Sequence, residues 1–145
     1  MINNLIYKAL TDDNLGSYLQ EDHRWRVYPL KALGAPGIPS NPNYPYVQFG
    51  SGGDNANTAV RETRRSISSA YDVFLYDAPG SYRRIHTIHN IIEDNLGAVI
   101  GQQSNVGWTV TDIVLRGFGG DGFDPITQQF SKRATYQIVS SIARQ

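Results

Sequence analysis

Prolines stand at every third position of one segment, at Pro36, Pro39, Pro42 and Pro45. Proline lacks an amide hydrogen and fixes φ, so neither a helix nor a central strand can run through these residues. The period matches polyproline II, which has three residues per turn and no internal hydrogen bonds. Residues 33–45 are therefore expected to form an extended arm that borrows its support from another surface. The arm runs directly into the apolar stretch Tyr46, Val47, Gln48, Phe49. Two further stretches lack apolar periodicity, residues 50–63 (GSGGDNANTAVRET) and 117–131 (GFGGDGFDPITQQFS). Loops longer than ~12 to 15 residues without secondary structure are uncommon in compact domains and usually serve a function. Both stretches are expected to be flexible and to order against partners.

The remaining chain divides into helices and strands. Ile2, Leu5, Ile6, Ala9 and Leu10 recur at helical spacing, and Leu15 and Leu19 resume the stripe, with a break expected near Gly16. Arg24 to Tyr28 alternates polar and apolar residues before Pro29, which suits an edge strand. Tyr46 to Phe49 reads as the next strand. Arg64 to Tyr76 places Ile67, Ser69, Tyr71, Val73 and Leu75 on one face and Ala70, Asp72, Phe74 and Tyr76 on the other. A helix follows from Pro79 to Leu96, with Tyr82, Ile85, Ile88, Ile92 and Leu96 as its core stripe and Gly97 as its stop. Trp108 to Arg116 and Arg133 to Ile142 alternate again. The order predicts an α+β fold: one mixed, mainly antiparallel sheet of four to five strands with two helices packed on it, plus long extended loops.

The chain has 145 residues, enough for a single domain spanning 1–145 with its own core. Thirteen acidic and thirteen basic residues balance to a formal net charge of zero, so no global field draws the protein to nucleic acid or anionic lipid. There is no cysteine, which excludes disulfides, thiolate nucleophiles and cysteine zinc sites. No run approaches the ~20 apolar residues of a membrane span, and the start carries no secretory pattern. The expectation is a soluble, non-secreted protein with no membrane partner.

Several clusters invite a chemical reading. Gly117 to Gly122 fits G-x-G-x-x-G after a strand, but no helix-forming pattern follows to receive a pyrophosphate, so a glycine hairpin or loop is the simpler reading. His86, His89 and Glu93 share one helical flank and could approach a metal; without a fourth ligand they read as residues at the rim of the core. Neither histidine lies near a nucleophile motif, so an acid or base role has no support. Arg61, Arg64 and Arg65, with Arg83 and Arg84, could grip phosphates beside Tyr44, Tyr46 or Trp108, yet zero net charge favours intersubunit ion pairs. The Pro-x-x-Pro spacing could serve an aromatic groove, but its run into a strand favours an arm lying on this protein or a neighbour.

Three stretches carry a family resemblance. They are Arg26-Val27-Tyr28-Pro29 followed by Pro45-Tyr46-Val47-Gln48-Phe49, the strand-to-helix unit Ala70 to Leu96, and Phe123 to Phe130 running into Lys132 to Ile138. In that order the chain resembles the tail terminator, or tail completion, proteins of long-tailed (siphovirus-type) bacteriophages. The resemblance implies a protomer of a homohexameric ring at the head-proximal end of the tail, located in the virion at the tail–neck junction and assembled in the host bacterial cytoplasm. It implies that the ring ends tail-tube polymerisation and offers the head-tail joining surface. Its implied partners are other copies of itself, the tail tube protein and a neck or connector protein, with phage DNA passing through the ring without specific binding. No catalytic group, cofactor or metal is implied. The candidate interface comprises Pro36, Pro39, Pro42, Tyr44, Arg61, Arg64, Arg65, Phe118, Phe123 and Asp124. Another neck or head-completion protein, or a small nucleotide- or metal-dependent enzyme, stays open as an alternative.

Overall fold

The computed structural model describes residues 2–30, 32–36, 38–51, 59–60, 64–78, 82–124 and 129–143. The N-terminal stripe forms α1 (Asn3–Leu10), a 3-10 turn (Asp13–Leu15) and α2 (Gly16–Leu19). The helix breaks at Thr11, earlier than Gly16, because Thr11 Oγ1 donates to Tyr7 O at 2.8 Å and Asp12 Oδ1 accepts from the Asn14 amide at 3.2 Å. Two very short strands, β1 (Gln20–Glu21) and β2 (Arg24–Trp25), pair as a small hairpin. Asp22 and His23 turn it with φ of 49° and 62°, a region that non-glycine residues enter mainly in tight turns.

The main sheet has six strands: β3 (Val27–Pro29), β4 (Tyr46–Ser51), β5 (Ala59–Val60), β6 (Arg64–Asp77), β7 (Thr109–Asp124) and β8 (Gln129–Ala143). The order is β3-β4-β6-β8-β7, with β5 pairing the start of β6. All pairs are antiparallel except β3 with β4. The fold is α+β with a mixed, mainly antiparallel sheet, as the sequence predicts. The strand count is higher by the two-residue β5, which lies inside the stretch 50–63. Much of that stretch lies outside the described residues.

Helix α3 (Tyr82–Gly97) and α1 cover one face of the sheet. Ile85, Ile88, Ile92 and Leu96 of α3 meet Tyr71, Val73 and Leu75 of β6, Ala134, Tyr136 and Ile138 of β8, Val47 of β4 and Val110 of β7 in one core. Asn14 and Asn95 exchange hydrogen bonds of 2.8 and 2.9 Å, and Asn95 also donates to Ala9 O, which fixes the 3-10 turn against α3. The helix stripe is shifted relative to the sequence reading. Tyr82 is exposed rather than buried, whereas His89, expected at the rim, is buried beneath the helix. Residues 79–81, expected to open the helix, lie outside the described residues. No helix among the described residues is long and apolar enough to cross a membrane.

Two expectations about loops need correction. Residues 117–124 and 129–131 are not structureless: they continue β7 and β8 as one long hairpin, paired from Thr109↔Ser141 to Asp124↔Gln129. Glycines lack helical or strand propensity, but a hairpin partner already held by β6 supplies the ladder that their own sequence does not. At Gly122 a Cβ would sit 2.6 Å from Ser131 Oγ, so any other residue there would have to turn that hydroxyl aside. The proline segment is also not an extended helix. It folds through successive turns, with Ala35 N–H donating to Ala32 O at 3.0 Å and Ile38 N–H to Ala35 O at 2.9 Å. Parallel strands need a long crossover, and this segment is the crossover from β3 to β4.

Candidate assembly surface

The alternation of β6 gives the sheet a second face that no described helix covers. Across this face the strand register aligns Tyr46 with Tyr76 and Gln48 with Phe74. Tyr46 and Tyr76 stack with centroids 4.8 Å apart, Phe74 and Tyr76 at 6.3 Å, and Tyr28 meets Tyr46 edge-on at 6.4 Å. Tyr44 extends the strip from the proline crossover, stacked on Tyr46 at 5.9 Å. Burial raises the pKa of Tyr28, Tyr46 and Tyr76, so their phenols stay protonated and act as polar handles on an apolar strip. Tyr46 uses its hydroxyl to accept from Gln129 Nε2 at 3.1 Å.

An ion pair between Arg133 and Asp72 lies on this face. The Arg133 guanidinium lies 5.5 Å from the Phe74 centroid and donates to buried Asp72 at 3.1 and 3.4 Å, while Thr135 Oγ1 donates to the same carboxylate at 2.7 Å. The result is an aromatic strip edged by a half-exposed arginine. Such a surface suits contact with another protein, because aromatic and arginine side chains carry most interface energy.

The crossover is anchored by Arg26. Its guanidinium donates to Pro45 O at 2.9 Å, to Glu21 Oε2 at 2.9 Å and to Tyr18 O at 2.6 Å, tying the crossover, β1 and α2 together. Asn43 Nδ2 adds a bond of 3.0 Å to the same carboxylate. The hydrogen bonds from Asn43 and Arg26 hold the Glu21 carboxyl below its ordinary pKa. A cleft of about 570 Å³ opens between the β1–β2 hairpin and the crossover, lined by Arg24, Trp25, Tyr28, Pro39, Asn41 and Pro42 among others.

The far end of the hairpin carries its own aromatic group. Phe130 sits 4.5 Å from Tyr82 and 5.1 Å from Phe123, and Phe123 is 52% exposed. Next to it, buried Lys132 Nζ lies 2.9 Å from His86 Nδ1. An ammonium has only donors, so this ring nitrogen accepts.

The structure separates the nominated interface residues. Pro36 and Pro39 are exposed on the crossover, Pro42 is buried, and Tyr44 joins the open-face strip. Arg61 lies outside the described residues. Arg64 and Arg65 begin β6 opposite Ala143 and Ile142, and Phe118 and Asp124 pair with Ala134 and Gln129 by their backbones. The side chains of these four are not among those described. Arg83 is exposed, while Arg84 is committed to Asp77. The G-x-G-x-x-G run lies within a strand rather than before a helix, so the phosphate-binding geometry is absent there. His89 faces the core and His86 meets Lys132, and no group of three metal-ligating side chains occurs among the described residues. The open-face strip was missed as a site, although Asp72, Phe74 and Tyr76 were read onto that face. Phe74 and Tyr76 at alternate positions of one face, with Tyr44 and Tyr46 spaced the same way ahead of them, were the available signal.

No family model matches the sequence, and comparison with curated proteins gives no match. Comparison with solved structures does. A chain from the virion of a native gene transfer agent particle superposes with a TM-score of 0.65 over 94% of this chain and 91% of the other, at 12% identity. The two chains share a fold. At 12% identity each chain keeps its own surface chemistry.

Proposed function

We propose that the protein is a structural virion component that assembles into a ring at the head-proximal end of a phage-type tail. There it ends tube polymerisation and presents a surface to the neck. The observation that carries this reading is the fold likeness over nearly the whole of both chains to a component of a gene transfer agent virion. The surfaces agree with it: an aromatic strip on an uncovered sheet face, and a hairpin whose far end exposes Phe123. A tube grows because each subunit layer offers the next one the same surface. A terminator needs to match one end and present an unlike surface on the other, with ring closure doing the rest. Nothing in that task calls for a catalytic group, and balanced charge suits a lumen through which DNA passes. The same likeness serves a neck or connector ring elsewhere in the virion, and one experiment separates the two. Purified protein added to polymerising tail-tube subunits should shorten the tubes, with no nucleotide or metal required. Unchanged tube lengths at saturating protein, with rings visible by electron microscopy, would move the protein to another neck position.

A further inference from the structure

The ladder between β6 and β8 ends at Asp77↔Phe130, and the hairpin runs on past it to Asp124↔Gln129. This end is held to α3 by contacts in series: Phe130 packs on Tyr82 at 4.5 Å, and Tyr82 stacks on His86, one turn along the helix, at 6.4 Å. His86 Nδ1 in turn takes a hydrogen bond from Lys132 Nζ at 2.9 Å, which ties the helix back to β8. The two partners differ in burial. Lys132 is 8% exposed, whereas His86 lies at the surface, so the imidazole can swing into water and the ammonium stays where it is.

We propose that the His86–Lys132 contact is a proton-sensitive latch: with the imidazole neutral it holds the hairpin's end on α3, and in mild acid it opens and frees that end. An ammonium has only donors, so the contact needs the lone pair on Nδ1, and the ring's single proton sits on Nε2. A second proton takes that lone pair and leaves two cations 2.9 Å apart. Histidine is the side chain whose charge changes in the range of roughly pH 5 to 8. Around His86 stand Tyr82, Arg83 and His89 on its own helix and Lys132 on β8. Asp77, at the end of β6, is occupied by Arg84, and Glu93 lies two turns along α3 towards Tyr136. Burial, Lys132 and His86 push the pKa of His89 down to about 4, so that ring stays neutral in mild acid and does not do the switching. The closed latch excludes the proton and the open form binds it, so falling pH favours the open form. Opening uncovers Phe130 beside Phe123, already 52% exposed, and enlarges the apolar surface at the hairpin's end. The latch belongs to the single chain and does not rest on the proposed ring.

An NMR titration of the free protein tests the latch. The ring resonances of Phe130 and Phe123 should move with the His86 imidazole at one shared midpoint. Amide exchange at Gln129 and Phe130, corrected for its intrinsic pH dependence, should quicken about tenfold below that midpoint. His86→Gln keeps an acceptor but takes no proton in this range, so it should abolish both changes. Lys132→Met should leave His86 titrating yet uncouple Phe130 from it, because the second cation is gone. Phe130 resonances that ignore the His86 titration in the parent, or that shift as much in His86→Gln, would overturn the proposal.

Discussion

Asp77, wholly buried at the end of β6, receives the guanidinium of Arg84 on both carboxylate oxygens, with Nε 2.7 Å from Oδ2 and Nη2 against Oδ1. The same carboxylate accepts from the Ala78 amide at 2.7 Å. One side chain thereby fixes where the strand ends and how the first turns of α3 lie on the sheet.

Removing the arginine leaves a buried carboxylate whose donor among the described residues is the Ala78 amide. Arg84→Ala should destabilise the protein by about 3 kcal/mol in urea unfolding. Arg84→Lys should recover only part of that, because an ammonium cannot make the two parallel bonds. A loss below about 0.5 kcal/mol would show that water replaces the guanidinium.

Acid should weaken the fold through His89. Burial, with Lys132 and His86 nearby, pushes its pKa down from 6.5 to about 4. Between those values the unfolded chain binds the proton and the folded chain does not. Stability is therefore intact above about pH 6.5, falls as the pH drops from 6.5 towards 4, and levels off below, a loss of about 3 kcal/mol in all. His89→Leu should flatten this part of the profile relative to the parent. An NMR titration that placed the His89 imidazole near 6.5 would refute the expectation.

The crossover should come loose when its anchor is removed. Arg26→Ala deletes the bonds to Pro45 O, Glu21 and Tyr18 O, and should cost about 2 to 4 kcal/mol. Hydrogen exchange at the Ala35 and Ile38 amides should accelerate more than at β6 or β8. Equal acceleration everywhere would mean that the arginine supports the whole fold rather than the crossover.

Ile88 and Ile92 are fully buried beneath α3. Ile88→Ala and Ile92→Ala should each cost about 2 to 5 kcal/mol by urea unfolding. Val114→Ala, on the exposed edge, should change stability by less than about 0.5 kcal/mol.

Legibility in the sequence followed how local the signal was. The apolar spacing of Ile85, Ile88, Ile92 and Leu96 revealed α3, and the alternation through Tyr71, Val73 and Leu75 revealed β6, because each pattern repeats within a few residues. Glycine-rich 117–124 reads as a loop by the same local logic and is a strand, because its ladder is provided by β8. The prolines pointed correctly to an absence of helix and sheet, yet their period did not give a polyproline helix. Gly34, at φ 84°, and the turn hydrogen bonds fold the segment back on itself.

By itself the sequence determined the class of fold, the order of its main elements, the balanced charge and the absence of thiol chemistry, since these depend on residue type and short-range period. Tertiary structure alone decided that β3 and β4 run parallel, so that the proline segment must cross between them. It alone brought Tyr44, Tyr46, Tyr76 and Phe74 into one strip, buried His89 beside Lys132, and left β7 at the edge. Each of those facts joins residues far apart in the chain. Side-chain period records which way a residue faces but not which strand lies beside it, and register between distant strands is set by the packing of the whole core.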